Sequence, residues 1–134
     1  MKLQVLEEDR FFLEHANLRS KDTGQPFDVW LDELGCDRNV KHNEPRFKFT
    51  ANNIQLDVIL HNNGELEIVN NPREVRKFKH SKKVIDFIKK FEEPLRKQWN
   101  HELTTYETMH LIRTVYKTDM DVLDALSKIA SGEL

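Results

Sequence analysis

From Ile54 to Leu60 the chain alternates Ile54, Leu56, Val58 and Leu60 with Gln55, Asp57 and Ile59, so one face of the extended segment is wholly apolar. A period of two marks a half-buried strand, and an apolar sheet face demands a cover. That cover follows in the same sequence. Val84, Ile88, Phe91, Leu95 and Trp99 recur at spacings of four, three, four and four. At about 100° per residue they fall on one helical stripe, widened by Ile85 and Phe87. Lys82, Lys83, Asp86, Lys89, Lys90, Glu93 and Lys97 take the opposite arc.

The flanking segments extend the sheet. Arg46 to Thr50 reads as a strand with Phe47 and Phe49 on one face, and Pro45 suits its start because it has no N–H to donate. Asn52-Asn53 is a tight turn into Ile54. His61-Asn62-Asn63-Gly64 supplies a positive-φ turn into Leu66–Val69, and Asn70-Asn71-Pro72 ends the meander. Upstream, Phe27, Val29 and Leu31 alternate with polar neighbours, after turn formers at 21–26. A strand from Arg10 to about Leu18 would complete a hairpin with them. Residues 34–39 read as a loop.

Ser81 is the expected N-cap of the covering helix. Pro94 interrupts its hydrogen bonding, and the unbroken register of the stripe favours a kink within one helix over two helices. Thr104 to Glu107 opens a further helix with Met109, Ile112, Val115 and Tyr116 inward, although β-branched and aromatic content leaves 105–117 open to a strand reading. Thr118-Asp119 caps a last helix with a Leu123, Leu126, Ala130 stripe that docks on the same molecule or on a second copy. Gly132 stops it. The fold class is α+β: an antiparallel β-meander, one amphipathic helix on its apolar face, and a helical C-terminal appendage. One domain, 1–134, is expected, with its core at about 10–100 and the extension at about 101–134.

At 134 residues the chain is long enough for one core and short for two. The single cysteine, Cys36, excludes an internal disulfide and fits a reducing compartment. Met1–Val5 runs at once into Glu7, Glu8 and Asp9, with no signal-like apolar region. No apolar run nears the roughly 18 residues of a spanning helix. The expectation is a soluble cytoplasmic protein with no membrane association.

The formal charge of −2 conceals a division. Residues 73–97 hold ten basic and four acidic side chains, a local +6, which leaves −8 for the rest. Either an anionic partner or the acidic remainder of the molecule answers that excess.

Part of this pattern has a known counterpart. Val29-Trp30-Leu31-Asp32, the His42-Asn43-Glu44-Pro45-Arg46-Phe47-Lys48-Phe49 strand start, the Ile54–Leu60 strand and the Glu93–Leu103 segment with Trp99 and His101 resemble DUF4160, a small bacterial family, over about residues 27–103. The resemblance implies a small α+β fold and a phage or toxin–antitoxin genetic setting. Where that family places two histidines after proline, this chain has Arg46 and Lys48. No role attached to those histidines carries over.

Enzymatic chemistry finds little support. Histidines 15, 42, 61, 80, 101 and 110 form no His-x-His or His-x-x-x-His pair of the kind zinc sites use. Asp57, Glu65 and Glu67 are the candidates for a metal-dependent hydrolase, but the lysine that usually accompanies such carboxylates is missing. Cys36 has no histidine beside it to lower its pKa. With four glycines in all, no phosphate loop or nucleophile elbow is present. No cofactor or metal is expected.

The strongest candidate is the basic rim of Arg73, Arg76, Lys77, Lys79, Lys82 and Lys83. Lys82 and Lys83 stand at a helix N-terminus, an electrostatically unfavourable place. The expectation is a small non-enzymatic interaction or regulatory module using this rim on a protein partner. Nucleic-acid binding through the same cations is the alternative. Trp30 and the outward strand residues form a second candidate surface, and a homodimer remains open.

Overall fold

The computed structural model describes residues 17–31 and 44–134. Among them five strands, β1 (Asn17–Leu18), β2 (Asp28–Trp30), β3 (Arg46–Ala51), β4 (Ile54–Leu60) and β5 (Leu66–Ile68), form one antiparallel sheet in the order β1-β2-β3-β4-β5. Six helices accompany it: α1 (Ser20–Thr23), α2 (Pro72–Lys77), α3 (Ser81–Lys90), α4 (Glu92–Trp99), α5 (Thr105–Thr118) and α6 (Val122–Ala130). The α+β class, the meander and the C-terminal helices agree with the sequence pattern. No helix among the described residues is long and apolar enough to cross a membrane.

Register explains why one side of the sheet is dry. Val29 pairs with Phe49, Phe49 with Leu56, and Phe47 with Val58, so apolar side chains line up across three strands. Asn52 and Asn53 both adopt left-handed φ (51° and 64°), the conformation a two-residue hairpin turn needs. Val84, Phe87, Ile88, Phe91 and Leu95 of the covering helices are buried against this face. At the centre, Phe27, Phe49 and Phe87 make a ring of edge-to-face contacts with centroids 5.4, 5.9 and 5.9 Å apart. Such pairs add about 0.5–1.5 kcal/mol each beyond the area they bury.

Several expectations are corrected. The cover is two helices, α3 and α4, divided at Phe91, rather than one kinked helix. Pro94 falls in the first turn of α4, where its missing N–H costs nothing, and the bond it cannot make to Lys90 marks the break. Ser81 is the first helical residue and not the cap: the N-cap is His80, and the Ser81 hydroxyl donates to the Phe78 carbonyl at 3.1 Å. Residues 105–118 are helical, opened by a capping box in which Thr104 and Glu107 bond each other's N–H groups. The cap of α6 is Asp121, while Asp119 ends α5 in a left-handed conformation.

The stripe expected on α6 is rotated. Ala125 is its buried residue, and Leu123 is 62% exposed because α6 packs chiefly on α5. Two short helices were not expected: α1 forms at the start of the 21–26 turn segment, and α2 in the stretch after Asn71 for which no element was expected. The expected strand at 10–16, the loop at 34–39 with Cys36, and His15 and His42 lie outside the described residues.

One buried polar side chain ties the layers together. The Gln98 amide, 5% exposed, donates to the Leu31 carbonyl at the end of β2 and, at 3.3 Å, to the Thr105 hydroxyl of α5. A buried amide is tolerated because its donors are satisfied.

Candidate interaction surface

The rim begins where the meander ends. Asn71 caps α2, its side-chain oxygen accepting from the Glu74 N–H at 2.9 Å, and Pro72 takes the first helical position. The Asn71 amide also donates to Glu74 at 2.7 Å, which occupies the only acid of α2. Asn70 accepts from the Asp57 N–H at 2.6 Å and so fastens the helix start to β4. Arg73, Arg76 and Lys77, at spacings of three and four, share a face of α2, while Val75 rests on the core.

Phe78 then turns inward, 3% exposed, and seats the link between α2 and α3. His80 meets its ring edge-on at 6.1 Å. Lys79 precedes α3, and Lys82 and Lys83 stand in its first turn. The six expected residues thus follow one another along α2, the link and the first turn of α3, and all six are exposed.

None of the six has an ion-pair partner among the described residues. Asp86 lies three and four residues beyond Lys83 and Lys82 without pairing to either. The first turn of α3 contains no acid and no side-chain cap. Two ammonium groups thus face the positive end of a helix dipole with nothing to offset them, which costs a few tenths of a kcal/mol each.

A second polar cluster, absent from the sequence reading, has the opposite character. In the β4–β5 turn, His61 Nδ1 lies 3.0 Å from Glu44 Oε2, and Nε2 lies 2.9 Å from Glu67 Oε1. Glu44 also accepts from the Asn62 N–H at 2.7 Å. From α4, Arg96 donates to the His61 carbonyl and stands 3.8 Å from Glu92. The Asn62 bond, followed by the imidazole, holds the Glu44 carboxyl below the usual carboxylate range. Hydrogen bonds to Glu67 first and Glu44 second raise the His61 imidazole above its ordinary value. No motif announces this cluster, because its members are separated by 17 and 6 residues and meet only through sheet register.

The carboxylates considered for metal do not converge. Asp57 accepts from Gln55 at 2.8 Å, Glu67 is taken by His61, and Glu65 is exposed. Among the described residues no group of three histidine, cysteine or acidic side chains is placed to hold an ion. Trp30, half-buried, sits opposite Lys48 on the outward face.

A shallow cleft of about 620 Å³ between the α3–α4 junction and the start of α6 is lined by Lys89, Glu93, Asp119, Asp121 and Leu123 among others. Lys90, also in its lining, stands 4.9 Å from the centre of the Tyr116 ring, and burial pushes the Tyr116 phenol up to about 12. Its lining mixes both signs of charge and offers no nucleophile–base pair. Comparison with protein-family models, curated proteins and solved structures finds no match to this chain.

Proposed function

We propose that this chain is a non-catalytic interaction module, of accessory or regulatory type, whose 73–83 rim receives an acidic segment of a partner protein. The observation that carries this reading is six exposed cations within eleven residues with no counter-ion among the described residues. Phe78, the rim's aromatic, is buried and cannot stack on a base, so recognition there rests on charge. The chain outside residues 73–97 carries −8 and repels a long polyanion that runs past the rim, whereas a short acidic segment meets a local excess of cations.

Binding of a fluorescent twelve-residue polyglutamate peptide tests the reading, with a DNA duplex of random sequence as the competing arm. The expected result is saturable peptide binding at low salt that weakens about tenfold or more as ionic strength rises past physiological, as screening dictates. The triple variant Lys79→Glu/Lys82→Glu/Lys83→Glu should lose it. Tighter binding of the duplex, with affinity falling steeply in salt, transfers the rim to nucleic acid. Equal peptide binding by wild type and variant removes the rim as the working face.

A further inference from the structure

The β4–β5 turn holds one imidazole between two carboxylates. Both ring nitrogens of His61 lie within 3.0 Å of a carboxylate oxygen. A neutral imidazole has one N–H and one lone pair, so it can donate to only one of them. The observed geometry with both contacts made is that of an imidazolium. We propose that this turn is a proton-operated clasp: protonated His61 holds Glu44 and Glu67 together, and loss of the proton releases Glu67 while Glu44 stays bound.

The asymmetry follows from the neighbours. Glu44 has a second anchor in the Asn62 N–H at 2.7 Å, independent of the ring. Glu67 has no second bond of that kind among the described residues, and it is exposed on the three-residue edge strand β5. When the proton leaves Nε2 for water, the remaining N–H on Nδ1 donates to Glu44. The Nε2 lone pair then faces the Glu67 carboxylate and repels it.

The groups that face the ring set the direction of the response. Glu44, before β3, and Glu67, from β5, favour the cation. Arg96 of α4 opposes it from the His61 carbonyl side, tempered by Glu92 at 3.8 Å. Arg46 stands opposite Ile59, which itself pairs with Glu67, and adds positive charge on that face. The carboxylates are the closer, so the folded imidazole keeps its proton to higher pH than a free one. The clasp is therefore fully closed below the ordinary imidazole value and opens as pH rises through the raised one. At the acid end it fails again, when pH falls through the depressed value of Glu44.

Two measurements on the intact chain test the clasp. Long-range proton–nitrogen NMR of the histidine rings should show His61 titrating above about 6.5. Its neutral form should carry the proton on Nδ1. Hydrogen exchange at residues 65–69, corrected for the intrinsic pH dependence, should become several-fold faster through the same titration. In Glu67→Gln the exchange step should vanish and the His61 titration should move down, with the fold intact because the side chain is exposed. Titration at or below the free-histidine value, a neutral form protonated on Nε2, or exchange at 65–69 blind to the titration would each overturn the proposal.

Discussion

The two charged regions of this molecule lie at either end of β5 and are built on opposite plans. Around the β4–β5 turn the charges of one cluster answer each other: His61 meets Glu44 and Glu67, and Arg96 meets a carbonyl and Glu92. Along the rim, six cations have none among the described residues, and Glu74, the acid of α2, is bonded to the Asn71 amide. A paired cluster contributes to the fold, whereas an unpaired exposed one adds little to it. That difference is why the rim is assigned to a partner and the turn to internal control.

The largest effect expected from separating the two plans comes from the support beneath the rim. Phe78→Ala removes a side chain that is 3% exposed and should lower unfolding free energy by about 3 kcal/mol, the usual cost of emptying a buried aromatic site. Urea denaturation followed by circular dichroism measures it. A loss below about 1 kcal/mol would mean that the link between α2 and α3 is not seated on the core, and the rim would then have no fixed shape.

Arginine in the two regions makes the sharpest contrast. Arg96→Met removes a charged donor from the His61 carbonyl and should cost about 2 kcal/mol. Arg76→Met, on the rim, should stay within about 0.5 kcal/mol because nothing in the fold depends on that charge. Similar losses at both positions in parallel denaturation series would erase the distinction between paired and unpaired regions. Next in size is the junction between them: Asn71→Ala deletes the α2 cap and should cost about 1 kcal/mol.

The sheet and its cover were legible because burial imposes short periods on sequence. Ile54 to Leu60 kept its alternation, and Val84, Ile88, Phe91 and Leu95 kept their stripe, but at its end Gln98 turns inward where Trp99 was expected. The exposure of the six rim cations was legible as well, since Lys and Arg crowded together in sequence stay in water. What periodicity could not carry was the response of the backbone to single residues. Pro94 leaves the stripe in register yet divides the helix, because the lost hydrogen bond lies one turn upstream of the proline itself. On α6 the expected stripe of Leu123, Leu126 and Ala130 held only at Leu126, and contact with α5 buried Ala125 in place of Leu123. The His61 clasp was invisible for a different reason: its partners are joined by strand register and turn geometry, and neither leaves a trace in spacing.

The smallest effect decides most about the rim, because stability and function there should move in opposite directions. Lys82→Glu places a carboxylate in the first turn of α3, where wild type has no acid. Removing a cation from the positive helix end and adding an anion should raise stability by about 0.5 kcal/mol, enough to shift a chemical-denaturation midpoint measurably. Binding of the polyglutamate peptide should weaken in the same variant, since a cation of the receiving edge has become an anion. A paired gain in stability and loss of binding identifies Lys82 as a residue kept against the interest of its own helix. If the substitution instead destabilises the fold, then Lys82 answers an acid within the molecule, and the rim joins the His61 turn as internally balanced structure.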